Sequence, residues 1–303
     1  MQAFARYVMR GRLQAIIISA AVTLLSLILP PLNYVSSAVI ALVTLRRGWN
    51  EGLAVMAGTA AVLGVMMALS RSDPLPAVVL AGVIWVPVWL LSLVLRQTVS
   101  LSKTVSAAAL LGGAAVIGAY LILDDPAQMW RELLDRFIDE IRNQNEGSAA
   151  DALNQLLASA APHMTGMAMA ALVLGLILSV FLGRWWQALL YNPGGFRREF
   201  HGLRLSRNFA VATLVVMVLS AVGGGAAEVA ANVLTVFATA YLLHGLGLLH
   251  GIVTARHVNV GWLIGVYALT FLWPPSTLLL GAAGFVDSWM DIRARLPKGG
   301  DKA

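Results

Sequence analysis

The residues best placed to do chemistry are Glu228, Asn232, Thr235 and Thr239, which recur at i, i+4, i+7 and i+11 and so share one stripe of a helix. A carboxylate, an amide and two hydroxyls on one face of an apolar helix form the kind of lining that couples a membrane cavity to a proton or cation. Glu228 also lies one turn inside the outer end of its segment, just after Gly223-Gly224-Gly225, where water alone could hydrate it. On sequence both readings stay open. His250 continues the stripe and His244 points away from it; six residues apart, the two imidazoles do not share a face and predict no metal site.

Three further groups stand out. Trp85 and Trp89 lie one turn apart around Pro87, near the middle of an apolar segment, where they could wall a cavity for a flat or apolar ligand or simply pack between helices. The stretch 184–207 reads RWWQALLYNPGGFRREFHGLRLSR. Its Phe196, Phe200 and Leu203 fall on one helical face flanked by Arg197, Arg198, Arg204 and Arg207. That pattern predicts an interfacial helix held by anionic lipid headgroups, with a phosphate-bearing ligand or a cytoplasmic partner as the alternatives. Near the end, Asp287, Asp291 and Arg293 bring two carboxylates and a guanidinium to one boundary.

The elements that position these residues must be membrane helices. Of 303 residues 59% are hydrophobic and 12% charged, against about 25% charged in a soluble domain. A bilayer core of roughly 30 Å needs about 20 apolar residues per helix. On that ruler spans fall near 13–30, 34–45, 51–69, 75–95 and 104–123, then near 163–183, 208–222, 227–250, 260–273 and 276–287. The first apolar stretch lacks a small-x-small cleavage site and is expected to be a structural span. Pro30-Pro31 and Pro274-Pro275 interrupt two long runs, each as a hairpin tip or a broken helix, which leaves eight to ten membrane segments.

Charge sets the orientation. With the N-terminus inside and both Pro-Pro elements taken as hairpins, only Arg71, Arg131, Arg136 and Arg142 of the 21 basic residues fall outside. The positive-inside rule then places both termini in the cytoplasm of a bacterial inner membrane. Trp49, Trp185, Trp186 and Trp289 fall at inner ends and Trp273 at an outer end, as amphipathic indoles prefer. The formal charge of +6 thus reflects loop topology, and no nucleic-acid partner is expected.

Residues 124–162 form the one sizeable polar piece, with eight carboxylates against three arginines. Asp125-Pro126 starts a helix, a second short helix begins near Ser148 or Asp151, and together they predict an amphipathic hairpin at the outer face. Gly247-x-x-x-Gly251, Ala54-x-x-x-Gly58, Ala114-x-x-x-Gly118 and Ala171-x-x-x-Gly175 predict close helix contacts. No P-loop, HExxH, GxSxG or dinucleotide fingerprint occurs, and cysteine is absent. No enzyme and no cofactor are expected.

Leu29-Pro30-Pro31-Leu32, Leu45-Arg46-Arg47-Gly48, the YNPGGF run at 191–196, Glu199-Phe200, Leu203-Arg204-Leu205 and the closing Asp287-x-Trp289-x-Asp291-x-Arg293 resemble the YybS-like family of uncharacterised bacterial membrane proteins. That family is in turn distantly similar to the substrate-binding components of energy-coupling-factor transporters. This chain departs from them in having more than six spans and an acidic outer segment, so no ligand-contact residue carries over. The expectation is an all-α polytopic membrane helical bundle: one membrane domain over 1–303, the outer insertion at 124–162 and the basic loop at 184–207. Its function would be transport or the binding of a small molecule or lipid; the alternative is a non-transporting scaffold for a membrane protein partner. An enclosed polar cavity reaching Glu228 and Asn232 would favour transport, and a packed, dry interior the scaffold.

Overall fold

The computed structural model describes residues 1–71, 73, 75, 79, 81–144 and 148–295. Among the described residues the fold is all-helical, with thirteen α-helices. They are α1 (Gln2–Val8), α2 (Arg12–Leu25), α3 (Leu32–Arg47), α4 (Trp49–Leu69), α5 (Val86–Thr98), α6 (Leu101–Ile122), α7 (Pro126–Gln144), α8 (Ser148–Tyr191), α9 (Gly195–His201), α10 (Arg207–Ala221), α11 (Gly225–Ala255), α12 (Gly261–Leu272) and α13 (Ser276–Met290). A π-turn over Ala81–Trp85 leads into α5, just ahead of Pro87, which cannot donate to the preceding turn.

Among the described residues five segments are long and apolar enough to cross a membrane: Trp49–Leu69, Ala81–Thr98, Leu101–Ile122, Gln155–Tyr191 and Gly225–Ala255. The other five expected spans are shorter helices. α2 has 14 residues, α3 16, α10 15, α12 12 and α13 15, so length alone does not make each of them a pass.

Contacts settle how the short helices run. Ser36 bonds to Ser19, and Arg47 donates to the carbonyl of Met9 at 2.5 Å; partners that descend as the other ascends make α2 and α3 antiparallel about Pro30-Pro31. At Pro274-Pro275 the register is the reverse. Gly281 faces Ala238, Gly284 faces Tyr241 and Asp287 meets His244, a constant offset that makes α13 parallel to α11. Since α13 leaves the far end and returns beside α11, α12 must carry the chain across between them. Met290, at the end of α13, therefore lies at the same end as Ala255.

Two apolar cores hold the bundle. One gathers α1 to α5 and the last turns of α8 around Ile40, Leu42, Val55, Trp85 and Trp186. The other gathers α5, α6, α8, α10 and α11 around Val105, Ile177, Val180, Val236 and Phe237. α3 is the central element: eleven of its 16 residues are buried. Inside a bilayer lipid is as apolar as leucine, so cohesion rests on close packing and interhelical hydrogen bonds. Gly183 and Gly175 serve the first, because a Cβ at Gly183 would stand 3.0 Å from the backbone of Ala38 and one at Gly175 would strike the Tyr34 ring.

The outer hairpin differs from the expected separate unit. α7 and α8 are antiparallel, Trp130 Nε1 donating to Thr165 Oγ1 at 2.9 Å. The expected second short helix does begin at Ser148, but it continues unbroken to Tyr191 as one helix of 44 residues, about 66 Å long. The second arm is thus the outward extension of a span.

Candidate functional site

The stripe on α11 divides into a clamp and a cleft. Asn232 is fully buried at the crossing of α8 and α11. Its Nδ2 lies 2.7 Å from the carbonyl of Pro162, 3.0 Å from Tyr120 Oη and 2.9 Å from the carbonyl of Glu228, while its Oδ1 accepts from the Gly166 amide at 2.6 Å. Pro162 O and Gly166 N are the i and i+4 groups that a regular helix pairs with each other. One side-chain amide on α11 therefore bonds both members of a helical pair on α8, beside a proline that has already removed a donor from that helix. Close approach is required for this: a Cβ on Gly166 would sit 2.6 Å from the carbonyl oxygen of Asn232.

Glu228 accepts from the Tyr120 hydroxyl at 2.8 Å, which ties α6 to the first turn of α11. Acidic residues are favoured there by the amide ends of the helix. Gly223 and Gly224 both take positive φ values, 86° and 79°, in the turn that delivers Glu228 to this position. Glu228 and Asn232 are thus joined through Tyr120 and spent on binding three helices together. Tyr120 was not foreseen, because nothing in its sequence surroundings points to a carboxylate 108 residues away.

Thr235 and Thr239, further along the same stripe, face a different environment. They line a cleft of about 430 Å³ between α10, α11 and α13, together with Thr213, Tyr241, Thr277 and Gly281. Its walls are mostly apolar, with Met217, Leu234, Leu242, Leu278 and Phe285 among them. The threonine hydroxyls donate to their own helices: Thr235 to Ala231 O at 3.0 Å, Thr213 to Phe209 O at 2.9 Å and Thr277 to Pro274 O at 2.7 Å. Each keeps acceptor capacity toward the cleft. Leu214, Val218, Leu278 and Leu279 are exposed along the two bordering helices.

The tryptophans lie elsewhere. Trp85 is fully buried in the first core, and Trp89 donates from Nε1 to the carbonyl of Trp49 at 3.1 Å. Trp49 begins α4 beside the basic residues, so Trp89 is tied to that end of α4. Neither lines the cleft of Thr235 and Thr239.

The basic loop turns its apolar face inward. Phe196 and Phe200 stack on each other at 6.1 Å and meet Phe181 edge-on at 5.7 and 6.0 Å, and Leu203 and Leu205 are fully buried. The face expected to enter lipid instead packs on α8 and α11. Gly247 and Gly251 contact this loop: Cβ atoms there would lie 2.6 Å from Phe200 O and 3.0 Å from His201 O. Gly118 has open space around it, so its motif marks no contact.

The arginines separate accordingly. Arg184 pairs with Glu199 within the loop. Arg204 is drawn onto α13, bonding Asp291 Oδ2 at 2.6 Å and the carbonyl of Asp287 at 3.1 Å. Arg197, Arg198 and Arg207 remain exposed; Arg197 and Arg198 make contacts of 3.4 Å to Thr254 and Asn192, and Arg207 donates to Trp289 O at 3.2 Å.

Asp287 is the hub of the closing motif. It is fully buried, with His244 Nε2 2.9 Å from one oxygen, Arg293 donating to the same oxygen at 3.2 Å and the amide of Ile292 donating to the other at 2.7 Å. Arg293 also donates to the carbonyls of His201 and Leu203, both at 2.6 Å. Asp291 closes α13 in the left-handed conformation at φ 48°. The motif locks α11, α13 and the loop after α9 into one unit. His244, which sequence set aside as facing away from the stripe, is its fourth member.

Comparison with known proteins gives one family. The family described as "Predicted membrane protein (DUF2232)" matches residues 17–288. Neither the curated proteins nor the solved structures contain a match. With the match running from α2 almost to the end of α13, this chain belongs to the DUF2232 family of predicted membrane proteins.

Proposed function

We propose that this protein is a small-molecule or lipid-binding component of a bacterial inner membrane, holding an apolar ligand in the cleft between α10, α11 and α13. The observation that carries this reading is the cleft itself: about 430 Å³, within the range of ligand sites, apolar walls and a few convergent hydroxyls. The resemblance to the YybS-like family, and more distantly to substrate-binding components of energy-coupling-factor transporters, supports the same class. Ion-coupled transport is the weaker form of the proposal, because Glu228 and Asn232 are engaged in the interhelical clamp and lie outside the lining. The activity is non-enzymatic on this reading. Both termini face the cytoplasm, since the end of the bundle that carries Arg46, Arg96, Arg184, Arg204 and Arg293 is the basic one.

A partner-binding scaffold is the second reading. It is favoured by the α7–α8 hairpin, where Leu133 and Leu156 are exposed at 53% and 65% on arms that reach past the length a bilayer needs.

Photocrosslinking tests the first reading. Ala238 is exposed to the cleft, so a benzophenone amino acid there should capture a lipophilic molecule that survives extensive detergent washing. Gly281 has only ordinary contacts at 3.9 Å around a built Cβ; Gly281→Leu should therefore fill the cleft without unfolding the protein and abolish the adduct. An adduct unchanged by Gly281→Leu would count against the cleft as the site.

A further inference from the structure

The basic end carries a second, amphipathic groove that is independent of the cleft above. One part, of about 400 Å³, is lined by Arg197, His201, His250, Thr254 and Leu263. A second part, of about 380 Å³, is lined by Leu178, Leu182, Trp185, Leu246 and Tyr267. Phe196 and Phe200 belong to both, so the two parts are continuous across these rings. The first is the polar mouth. There His201 and His250 stand 5.7 Å apart and Arg197 reaches from α9 toward Thr254 on α11. The second runs into the bundle and is lined almost wholly by apolar side chains.

The outer wall of the groove is α12, the most loosely seated of the membrane helices. Only Leu263 of its 12 residues is buried, and Trp262, Ile264 and Phe271 are 70%, 71% and 86% exposed. A bond of 2.8 Å between Tyr267 and His250 Nε2 joins it to α11. An apolar slot open to the bilayer along one side, capped at the membrane boundary by a guanidinium and two imidazoles, matches one kind of molecule: a long apolar chain ending in an anion. A guanidinium forks onto phosphate oxygens, and inner-leaflet anionic headgroups lie at this depth.

We infer that this groove holds a single anionic phospholipid, its headgroup phosphate against Arg197, His201 and His250 and an acyl chain along Leu178, Leu182 and Leu246 beneath α12. Arg197 supplies charge, the imidazoles supply donors, and Tyr267 lets α12 settle over the chain. The inference does not depend on the proposed ligand of the other cleft.

Native mass spectrometry of the full-length protein in detergent tests it, with phosphatidylglycerol and phosphatidylcholine of the same acyl chains added in parallel. One phosphatidylglycerol per chain should be retained in preference to phosphatidylcholine. Arg197→Ala should weaken retention about fivefold, and Leu246→Trp, which blocks the slot but leaves the mouth, should also release the lipid. Arg10→Ala, which removes an exposed charge at the same end, should have no effect, and millimolar inorganic phosphate should not compete. Equal retention of both lipids, an Arg10→Ala loss as large as that of Arg197→Ala, or displacement by inorganic phosphate would each overturn the inference. Because Arg197 is exposed, its replacement leaves the fold intact and keeps the test decisive.

Discussion

At the scale of single residues, polar groups in this bundle act mainly as fasteners. Asn232 is informative because the two groups it bonds on α8 can pair with each other if it is removed. Asn232→Ala should therefore cost only about 1–2 kcal/mol, within the range of membrane hydrogen bonds. Gly166→Ala should cost more, about 1–3 kcal/mol, since its new methyl meets the backbone of residue 232 and must part the helices. Combining the two changes should give no rescue; thermal unfolding in detergent measures all three. Asp287 is the opposite case, for nothing can replace it. Asp287→Ala leaves Arg293, Ile292 N and His244 without their acceptor and should destabilise by about 3–5 kcal/mol, while Asp287→Asn should cost less.

His201 brings in pH. Burial, assisted by His250, Arg197 and Arg293, pulls its pKa below the ordinary value of 6.5. The folded state then binds fewer protons than the unfolded state, so the protein should lose stability as pH falls below about 6.5. His201→Gln should flatten that part of a melting profile taken against pH.

At the scale of elements, backbone contact decides what side-chain pattern cannot. A Cβ on Gly284 would lie 2.6 Å from Tyr241 O, whereas one on Gly265 of α12 meets nothing within 4 Å. Gly284→Ala should thus destabilise by about 1–3 kcal/mol by wedging α11 from α13, and Gly265→Ala should be neutral or slightly stabilising through helix propensity. The contrast also shows what was legible beforehand. Apolar length and Pro-Pro breaks located the helices well, because hydropathy and the missing proline donor are local properties. Of the four small-residue motifs, Gly58 and Gly175 do meet neighbouring helices, through Ile16 and Tyr34, while Gly247 and Gly251 meet a loop and Gly118 meets nothing. A motif records that close approach is allowed; which partner approaches depends on distant register, as with the offset that brings Asp287 to His244.

The candidate site was legible in halves for the same reason. The stripe from Glu228 to Thr239 is a true helical face. What sequence could not supply was the neighbour at each level: α8 with Pro162 beside Asn232, and α10 with α13 beside Thr235 and Thr239. One stripe therefore serves two purposes, a clamp at one level and a cleft wall at the next. The apolar face of the basic loop follows the same rule: Phe196, Phe200 and Leu203 pack on α8 and α11, and periodicity does not distinguish lipid from protein interior.

At the scale of the whole molecule, the parallel course of α11 and α13 places the last turn of α13 at the basic end, where α1 also packs through Gln2 to Leu189 and Phe4 to Trp186. With no native cysteine, single replacements give an unambiguous map in intact cells. Arg10→Cys and Ala294→Cys should react with an impermeant maleimide only after permeabilisation, and Asp125→Cys without it. Labelling of Ala294→Cys from outside would break the proposed orientation.

On the proposed reading the cleft is the binding site, and its occupancy is the most direct test. Native mass spectrometry after exhaustive detergent washing should be run on Arg197→Ala, so that lipid at the basic groove does not contribute, and on Arg197→Ala/Gly281→Leu. We expect one retained lipophilic molecule per chain in the first and none in the second, with both proteins melting alike. A first sample with nothing bound, or two samples with the same bound mass, would contradict the account.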